Sequence, residues 1–248
     1  MTIVLITGGS RGIGRATALA CGRRGMGVIV TYKTNERDAE TVVKQIEAEG
    51  GRSVALCLDV AQMTSFSAFS TTLADVLKET WGRDSFDYLV NNAGVGGFEP
   101  IESVSESFFD HLMQVHLKGP FFLTQCLMPL MADGGAIVNV TSATTRVATT
   151  GVAAYAACKG GLEVLTRYMA KELGSRRIRA NAISPGAIRT DLAGLDSHPD
   201  FVALLASQTS LGRVGEPEDV AGAISSLLSP ENAWINAQTI EVAGGYCI

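Results

Sequence analysis

Short apolar runs alternate with longer stretches of helical period along the whole 248-residue chain. The first run, residues 2–7 (TIVLIT), has no polar face, as a strand covered on both sides requires. Glycines follow it, and then residues 13–24, rich in helix formers. The alternation continues with a strand over 27–32 (GVIVTY), a helix over about 35–49, a stop at Gly50–Gly51 and a strand over 53–58 (SVALCL). A helix over about 64–81 and a strand over 86–91 (FDYLVN) come next. Runs at 136–141 (AIVNVT), 179–184 (RANAIS) and 238–243 (QTIEVA) supply later strands, separated by helical stretches. Continuous apolar strands bounded by glycine, alternating with helices, predict an α/β fold: a doubly wound parallel sheet of about seven strands with helices on both faces. No period of 20–50 residues repeats and no low-complexity linker interrupts the chain, so residues 1–248 are expected to form a single domain.

Composition narrows the class of partner. Hydrophobic residues make up 46% and charged residues 18%, enough apolar content for a sizeable core. With 20 Lys+Arg against 25 Asp+Glu, the net charge of −5 argues against a nucleic-acid surface. Five cysteines (Cys21, Cys57, Cys126, Cys158, Cys247) are odd in number and never spaced C-x-x-C. Neither a zinc cluster nor a disulfide framework is expected, no other metal-ligand spacing stands out, and a reduced cytoplasmic chain is the expectation. The start, MTIVLITGGS, lacks the basic region of a signal peptide. Residues 119–132 are apolar but too short to span a bilayer and carry Pro120 and Pro129, so they read as a buried helix with breaks, and no membrane partner is expected.

Chemistry first shows in the loop after the first strand. Gly8, Gly12 and Gly14 stand in T-G-x-x-x-G-x-G ahead of a helix. Glycines there let the backbone turn sharply beside a pyrophosphate, and the helix N-terminus supplies N–H donors and partial positive charge. The commoner G-x-G-x-x-G pattern fails, because Thr17 occupies its third glycine position. The tip of the second strand, Thr31-Tyr32-Lys33-Thr34, has no acid to hold a ribose 2′-hydroxyl. Glu36 and Asp38 follow where a helix first turn favours acids, after a cap at Thr34 or Asn35. Arg11 and Lys33 are placed to meet a 2′-phosphate, which favours NADP(H) over NAD(H).

A second constellation lies further on. Tyr155 and Lys159 stand four apart on a predicted helix and so share a face one turn apart. A nearby ammonium is expected to favour the phenolate and lower the tyrosine pKa from about 10. Ser142 follows the 136–141 strand, placed to orient a carbonyl oxygen beside Tyr155.

With these motifs, the chain resembles the short-chain dehydrogenase/reductase family from end to end, including its 3-oxoacyl-reductase-like NADP-dependent members. Asp59-Val60 resembles the family's adenine-contacting pair, Asn91-Asn92-Ala93-Gly94 its N-N-A-G turn, and Pro185-Gly186 with Ile188 and Thr190 the segment holding the nicotinamide carboxamide. The stretch WINAQTIEVAGG resembles the family's last strand, with departures at Asn236, Ala237 and Ala243. The resemblance implies a Rossmann fold and hydride transfer between NADP(H) and a small-molecule carbonyl or secondary alcohol. Tyr155 would be the proton donor or acceptor, Ser142 would bind the substrate oxygen, and Lys159 would hold the nicotinamide ribose. It further implies that the cofactor lies against Gly8, Ser10, Arg11, Gly12, Ile13, Gly14, Tyr32, Lys33, Asp59, Val60, Asn91, Ala93, Gly94, Tyr155, Lys159, Pro185, Gly186, Ile188 and Thr190.

At the family's fourth catalytic position, usually Asn, this chain has His116. Either the imidazole joins the proton relay, or the side chain fills the site while the backbone carbonyl still binds the family's water. His111 and His198 read as surface residues. The segment 190–212, with Leu192, Leu195, Phe201, Leu204 and Leu205, is expected to be a substrate lid, and Phe98, Thr144, Val152 and Ala187 are pocket neighbours by family position. The family's usual assembly implies a homotetramer or homodimer. Two narrower alternatives are a 3-oxoacyl thioester reductase, with Arg146 and Arg189 as rim cations for an acidic carrier protein, and a non-catalytic NADP(H)-sensing protein.

Overall fold

The structure, a computed structural model, describes residues 1–191, 194 and 198–248. Its strands are β1 (Ile3–Ile6), β2 (Gly27–Tyr32), β3 (Ser53–Cys57), β4 (Phe86–Asn91), β5 (Met131–Val140), β6 (Arg179–Pro185) and β7 (Thr239–Val242). They form one sheet in the order β3-β2-β1-β4-β5-β6-β7, and each neighbouring pair is parallel. The helices α1 (Gly12–Arg23), α2 (Glu36–Ala48), α3 (Phe66–Trp81), α4 (Glu106–Met113), α5 (Gly119–Leu127), α6 (Ala153–Glu172), α7 (Pro199–Ser207) and α8 (Pro217–Leu227) connect or follow them. This is the single-domain doubly wound parallel sheet that the pattern of apolar runs predicts, in the Rossmann arrangement that the family resemblance implies.

Alternate residues of each strand point to opposite faces, so one apolar run feeds two cores. Val4 and Ile6 pack with Val28, Val30 and Val90 against residues of α1, α2 and α8, among them Ala18, Val42 and Ile224. Ile3 and Leu5 pack on the other face with Phe69 and Leu73 of α3, Leu123 of α5 and Met169 of α6.

Two local expectations are corrected. The stretch 119–132 is not helical throughout: α5 ends at Leu127, a 3₁₀ turn holds Met128–Leu130, and β5 begins at Met131 rather than at Ala136. Pro129 cannot donate the hydrogen bond that would continue the helix. A register shift between Phe86 and Tyr88 accommodates the Asp133-Gly134-Gly135 stretch in the longer strand.

Polar residues inside the sheet fix the helix that matters most. Asn91 Nδ2 donates to Asn139 Oδ1 at 2.8 Å, and Asn139 Nδ2 donates to Thr166 Oγ1 at 2.8 Å. This buried chain ties β4 to β5 and β5 to α6, whose first turns carry Tyr155 and Lys159. Removing one member would leave buried polar atoms unpaired, at a cost of about 1–3 kcal/mol.

Candidate active site

The strand order reverses between β1 and β4, and ligands of open α/β sheets bind at the carboxyl ends of strands at such a point. A crevice of about 880 Å³ lies there. One side is the loop after β1, the other the turn after β4, and the two are stitched together. Asn92 Nδ2 donates to the carbonyls of Thr7 (2.9 Å) and Gly8 (3.1 Å), while Thr7 Oγ1 accepts from the backbone N–H of Asn92 and of Ala93, both at 2.9 Å.

This approach is close enough to require glycine. Gly8 has φ +64°, and a Cβ on it would stand 2.9 Å from Ala93 Cα. A Cβ on Gly14 would meet Asn92 Nδ2 at 2.5 Å and run into the Gly8 carbonyl. Helix α1 starts just beyond, with no side-chain cap and no acid in its first turn. Its free N–H groups and dipole suit a pyrophosphate. The cradle therefore fits a dinucleotide on its own geometry.

At the tip of β2, Asn35 caps α2 by accepting from the Asp38 N–H, which accounts for the acids in that first turn. Tyr32 donates to Glu36 Oε1 at 2.8 Å, and that hydrogen bond, with some burial, pushes the phenol up to about 12. The two cations expected near a 2′-phosphate both have acidic neighbours. Lys33 Nζ lies 2.9 Å from Asp59 Oδ2, and Arg11 Nη1 lies 3.8 Å from Asp191 Oδ2. Burial pushes Asp59 up, but hydrogen bonds from Lys33 and the Ala61 N–H outweigh it and hold the carboxyl below its ordinary range.

Ser142 lies two residues past the end of β5, and its Oγ accepts from Thr144 Oγ1 at 3.0 Å. Lys159 Nζ is buried, donates to the Val140 carbonyl at 2.7 Å and stands 5.6 Å from the centre of the Tyr155 ring. Burial lowers the Lys159 ammonium to about 8. Burial also raises Tyr155 to about 12, with the Ser142 hydrogen bond pulling the other way. The expected lowering of the tyrosine by its lysine is thus corrected: desolvation of the phenolate dominates and keeps the phenol protonated.

His116 lies in a π-helical turn, Gln114–Lys118, between α4 and α5. It is 1% exposed, and its ring meets Tyr155 edge to face with centroids 5.0 Å apart. Nε2 is 2.8 Å from the Val95 carbonyl and 3.4 Å from the Val95 N–H, so the shorter contact assigns the proton to Nε2. Burial and the Lys159 charge push its pKa well below 6.5, leaving a neutral ring wedged between Tyr155 and Val95. His198 is exposed as expected, whereas His111 is half-buried on α4.

The crevice brings together every residue expected against the dinucleotide except Asn91, whose amide points into the sheet toward Asn139 and Thr124. Phe98, Thr144, Val152 and Ala187 line it, as do Phe201 and Leu205 of α7. Leu204 is half exposed, and Leu192 and Leu195 lie outside the described residues. Sequence reading missed Thr7 and Asn92 as the stitch and Tyr246 as a wall.

The two rim cations have partners within the fold. Arg146 binds Glu241 at 2.6 and 2.8 Å and the carbonyls of Tyr246 and Cys247 at 2.7 and 3.0 Å. Arg189 Nε pairs with Glu216 at 3.2 Å. Both guanidinium groups hold the fold's own acids.

A dinucleotide cradle leading to a serine, a protonated tyrosine and a buried lysine defines an oxidoreductase that moves hydride to or from a nicotinamide. A family model described as enoyl-(acyl carrier protein) reductase matches residues 8–247. A 3-oxoacyl-[acyl-carrier-protein] reductase of Synechocystis is 36% identical, covering 98% of this chain and 96% of its own. Among solved structures, the promiscuous reductase LugOII, which catalyses keto-reduction at C1 during lugdunomycin biosynthesis, is 38% identical with a TM-score of 0.95, covering 100% of this chain and 98% of its own. The angucycline C-6 ketoreductase LanV with bound NADP is 36% identical with a TM-score of 0.95, covering 99% and 95%. The chain belongs to the short-chain dehydrogenase/reductase family. No helix among the described residues is long and apolar enough to cross a membrane.

Proposed function

We propose that the protein is an NADPH-dependent ketoreductase in which Tyr155 protonates the carbonyl oxygen of a small-molecule ketone. The observation that carries this reading is the meeting of Ser142, Tyr155 and Lys159 in the crevice that begins at the glycine cradle, with Lys159 Nζ held 5.6 Å from the centre of the Tyr155 ring. NADPH supplies the hydride when bound. Ser142 hydrogen-bonds the substrate oxygen, polarising it and stabilising the charge that develops there. Tyr155 delivers the proton to the same oxygen. Lys159, fixed by the Val140 carbonyl, keeps two further N–H donors for ribose hydroxyls. His116 holds the Tyr155 ring from its edge. The test is carbonyl-dependent oxidation of NADPH over a panel of ketones, aldehydes, sugars and oxoacyl thioesters; no oxidation with any carbonyl refutes the reading.

The preference for NADPH rests on Arg11 and Lys33 together with the absence of an acid at the β2 tip, and LanV's bound NADP supports it. The double variant Arg11→Ala/Lys33→Ala should weaken NADPH binding by about tenfold or more while leaving NADH binding nearly unchanged, an expected loss of at least ~1.4 kcal/mol. Equal weakening of both cofactors in titrations would remove the preference.

Lys159 also fixes a pH dependence. Below about 8 the ammonium is charged; as pH rises through that value it loses its proton and with it one donor and the positive charge. NADPH affinity and turnover should therefore fall above about pH 8. A profile flat well into the alkaline range counts against this role for Lys159.

The second reading, a 3-oxoacyl thioester reductase, is favoured by the Synechocystis relative. The two cations that would have met an acidic carrier are engaged within the fold. The same panel discriminates, through its thioester arm.

A further inference from the structure

The two ends of the crevice differ in chemistry. Its exposed charged groups, Arg11, Lys33, Asp38 and Asp191, gather with the half-buried Asp59 at the glycine loop and the β2 tip. Beyond Tyr155 the walls are mainly Val95, Phe98, Val152, Phe201, Leu205 and Tyr246, with Thr144 and Thr149 the polar members and no charged side chain among the described residues there. A carboxylate or phosphate on the substrate would enter this end without a partner, at a large desolvation cost.

Two of these walls present aromatic rings to the opening. Phe98 is 65% exposed and Phe201 47%, although both line the crevice. Neither is loosely held. The Phe98 ring lies directly against Gly151, at φ +82°, where any Cβ would run into it, and the Glu99 N–H donates to the Gly151 carbonyl at 2.8 Å. Phe201 sits one turn before Leu205 on α7, and Leu205 is buried among Val214, Ala187, Val202 and Tyr246. Tyr246 in turn is fixed through its carbonyl by Arg146. Anchored aromatic rings left open to solvent suit a ligand with ring faces of its own, because offset or edge-to-face aromatic contact adds to the gain from area alone.

We propose that this end of the crevice is built for a neutral, flat, multi-ring aromatic ketone, held against Phe98 and Phe201 with its carbonyl presented to Ser142 and Tyr155. The proposal rests on the ketoreductase reading and narrows it to one substrate class. A slender acyl chain would leave both ring faces uncovered, and a charged substrate would lack a counter-ion.

The test uses the full chain with NADPH and three uncharged probes: a tetracyclic aromatic ketone, a saturated bicyclic ketone and cyclohexanone. The expected kcat/KM for the aromatic ketone exceeds that for the saturated bicycle by about a hundredfold, chiefly through KM, and Phe98→Ala or Phe201→Ala each lowers that ratio by about tenfold. Phe98→Met, which keeps the bulk but removes the ring, should lower it similarly and guards against a collapsed loop. Equal kcat/KM for aromatic and saturated ketones, or a ratio unchanged in these variants, overturns the proposal. Calorimetric binding of the aromatic ketone to the NADP⁺-loaded protein separates the two levels. Binding without turnover of any ketone upholds the slot and sinks the reductase reading; turnover of saturated ketones without binding of the ring system sinks the slot alone.

Discussion

Replacing Tyr155 with phenylalanine is expected to lower kcat by about a thousandfold while leaving NADPH binding within about twofold. The variant removes one oxygen and keeps the ring that packs edge to face on His116, so the geometry of the site should survive. What it removes is the acid. Burial holds Tyr155 near 12, so the phenol carries its proton throughout the physiological range and is ready to give it to a developing alkoxide. An alkoxide is a much stronger base than a phenolate, so the transfer is downhill once hydride has moved. Ser142 can still hydrogen-bond the substrate oxygen in the variant, which is why a residual rate should remain. Steady-state kinetics beside a fluorescence titration of NADPH distinguish the two effects. Undiminished turnover would show that another group supplies the proton. A loss confined to cofactor affinity would show that Tyr155 acts on binding alone.

Much of this site is legible in the sequence because its parts are local. The central strands announce themselves as apolar runs too continuous for a half-exposed element, although the edge strands β3 and β7 are partly exposed, and alternate residues of β1 feed two cores, Val4 and Ile6 on one side, Ile3 and Leu5 on the other. Tyr155 and Lys159 share a helix face by arithmetic of the helical turn. What the sequence conceals is mostly long-range. Asn92 reaches back to carbonyls 84 and 85 residues away, and Arg146 reaches forward to carbonyls 100 and 101 residues away; no local pattern marks either. Asn91 looks like a cofactor contact from its motif, yet it belongs to a polar chain with Asn139 and Thr166. An asparagine within each of two otherwise apolar runs, FDYLVN and AIVNVT, is the signal that could have revealed this. The start of β5 was hidden by Asp133-Gly134-Gly135, which has the composition of a turn but lies inside a strand. The direction of the Tyr155 shift was hidden for a different reason. Spacing fixes which charges are near, but burial depends on the whole fold, and here burial wins.

Gly14→Ala should reduce NADPH affinity by more than about a hundredfold, or ~2.7 kcal/mol, in a protein that remains folded. The added methyl would enter space already held by the Gly8 carbonyl and the Asn92 amide. Neither can give way freely. Gly8 is confined by Ala93, and the Asn92 amide bridges the Thr7 and Gly8 carbonyls that fix the loop to the β4 turn. Relief requires the start of α1 to move off the loop, which carries the first-turn N–H groups away from the position a pyrophosphate needs. The strain of overpacking, about 1–3 kcal/mol, is smaller than the stability of an ordinary domain of about 5–15 kcal/mol, so the loss can be measured on folded protein. Gly222 supplies the matching control. It sits exposed in α8 with open space where its Cβ would be, so Gly222→Ala should leave NADPH binding unchanged and raise stability by about 0.5–1 kcal/mol through helix propensity. Thermal unfolding and NADPH titration of both variants give four numbers. If Gly14→Ala binds NADPH as tightly as the parent, the loop after β1 does not hold the phosphates, and the cofactor must be sought elsewhere.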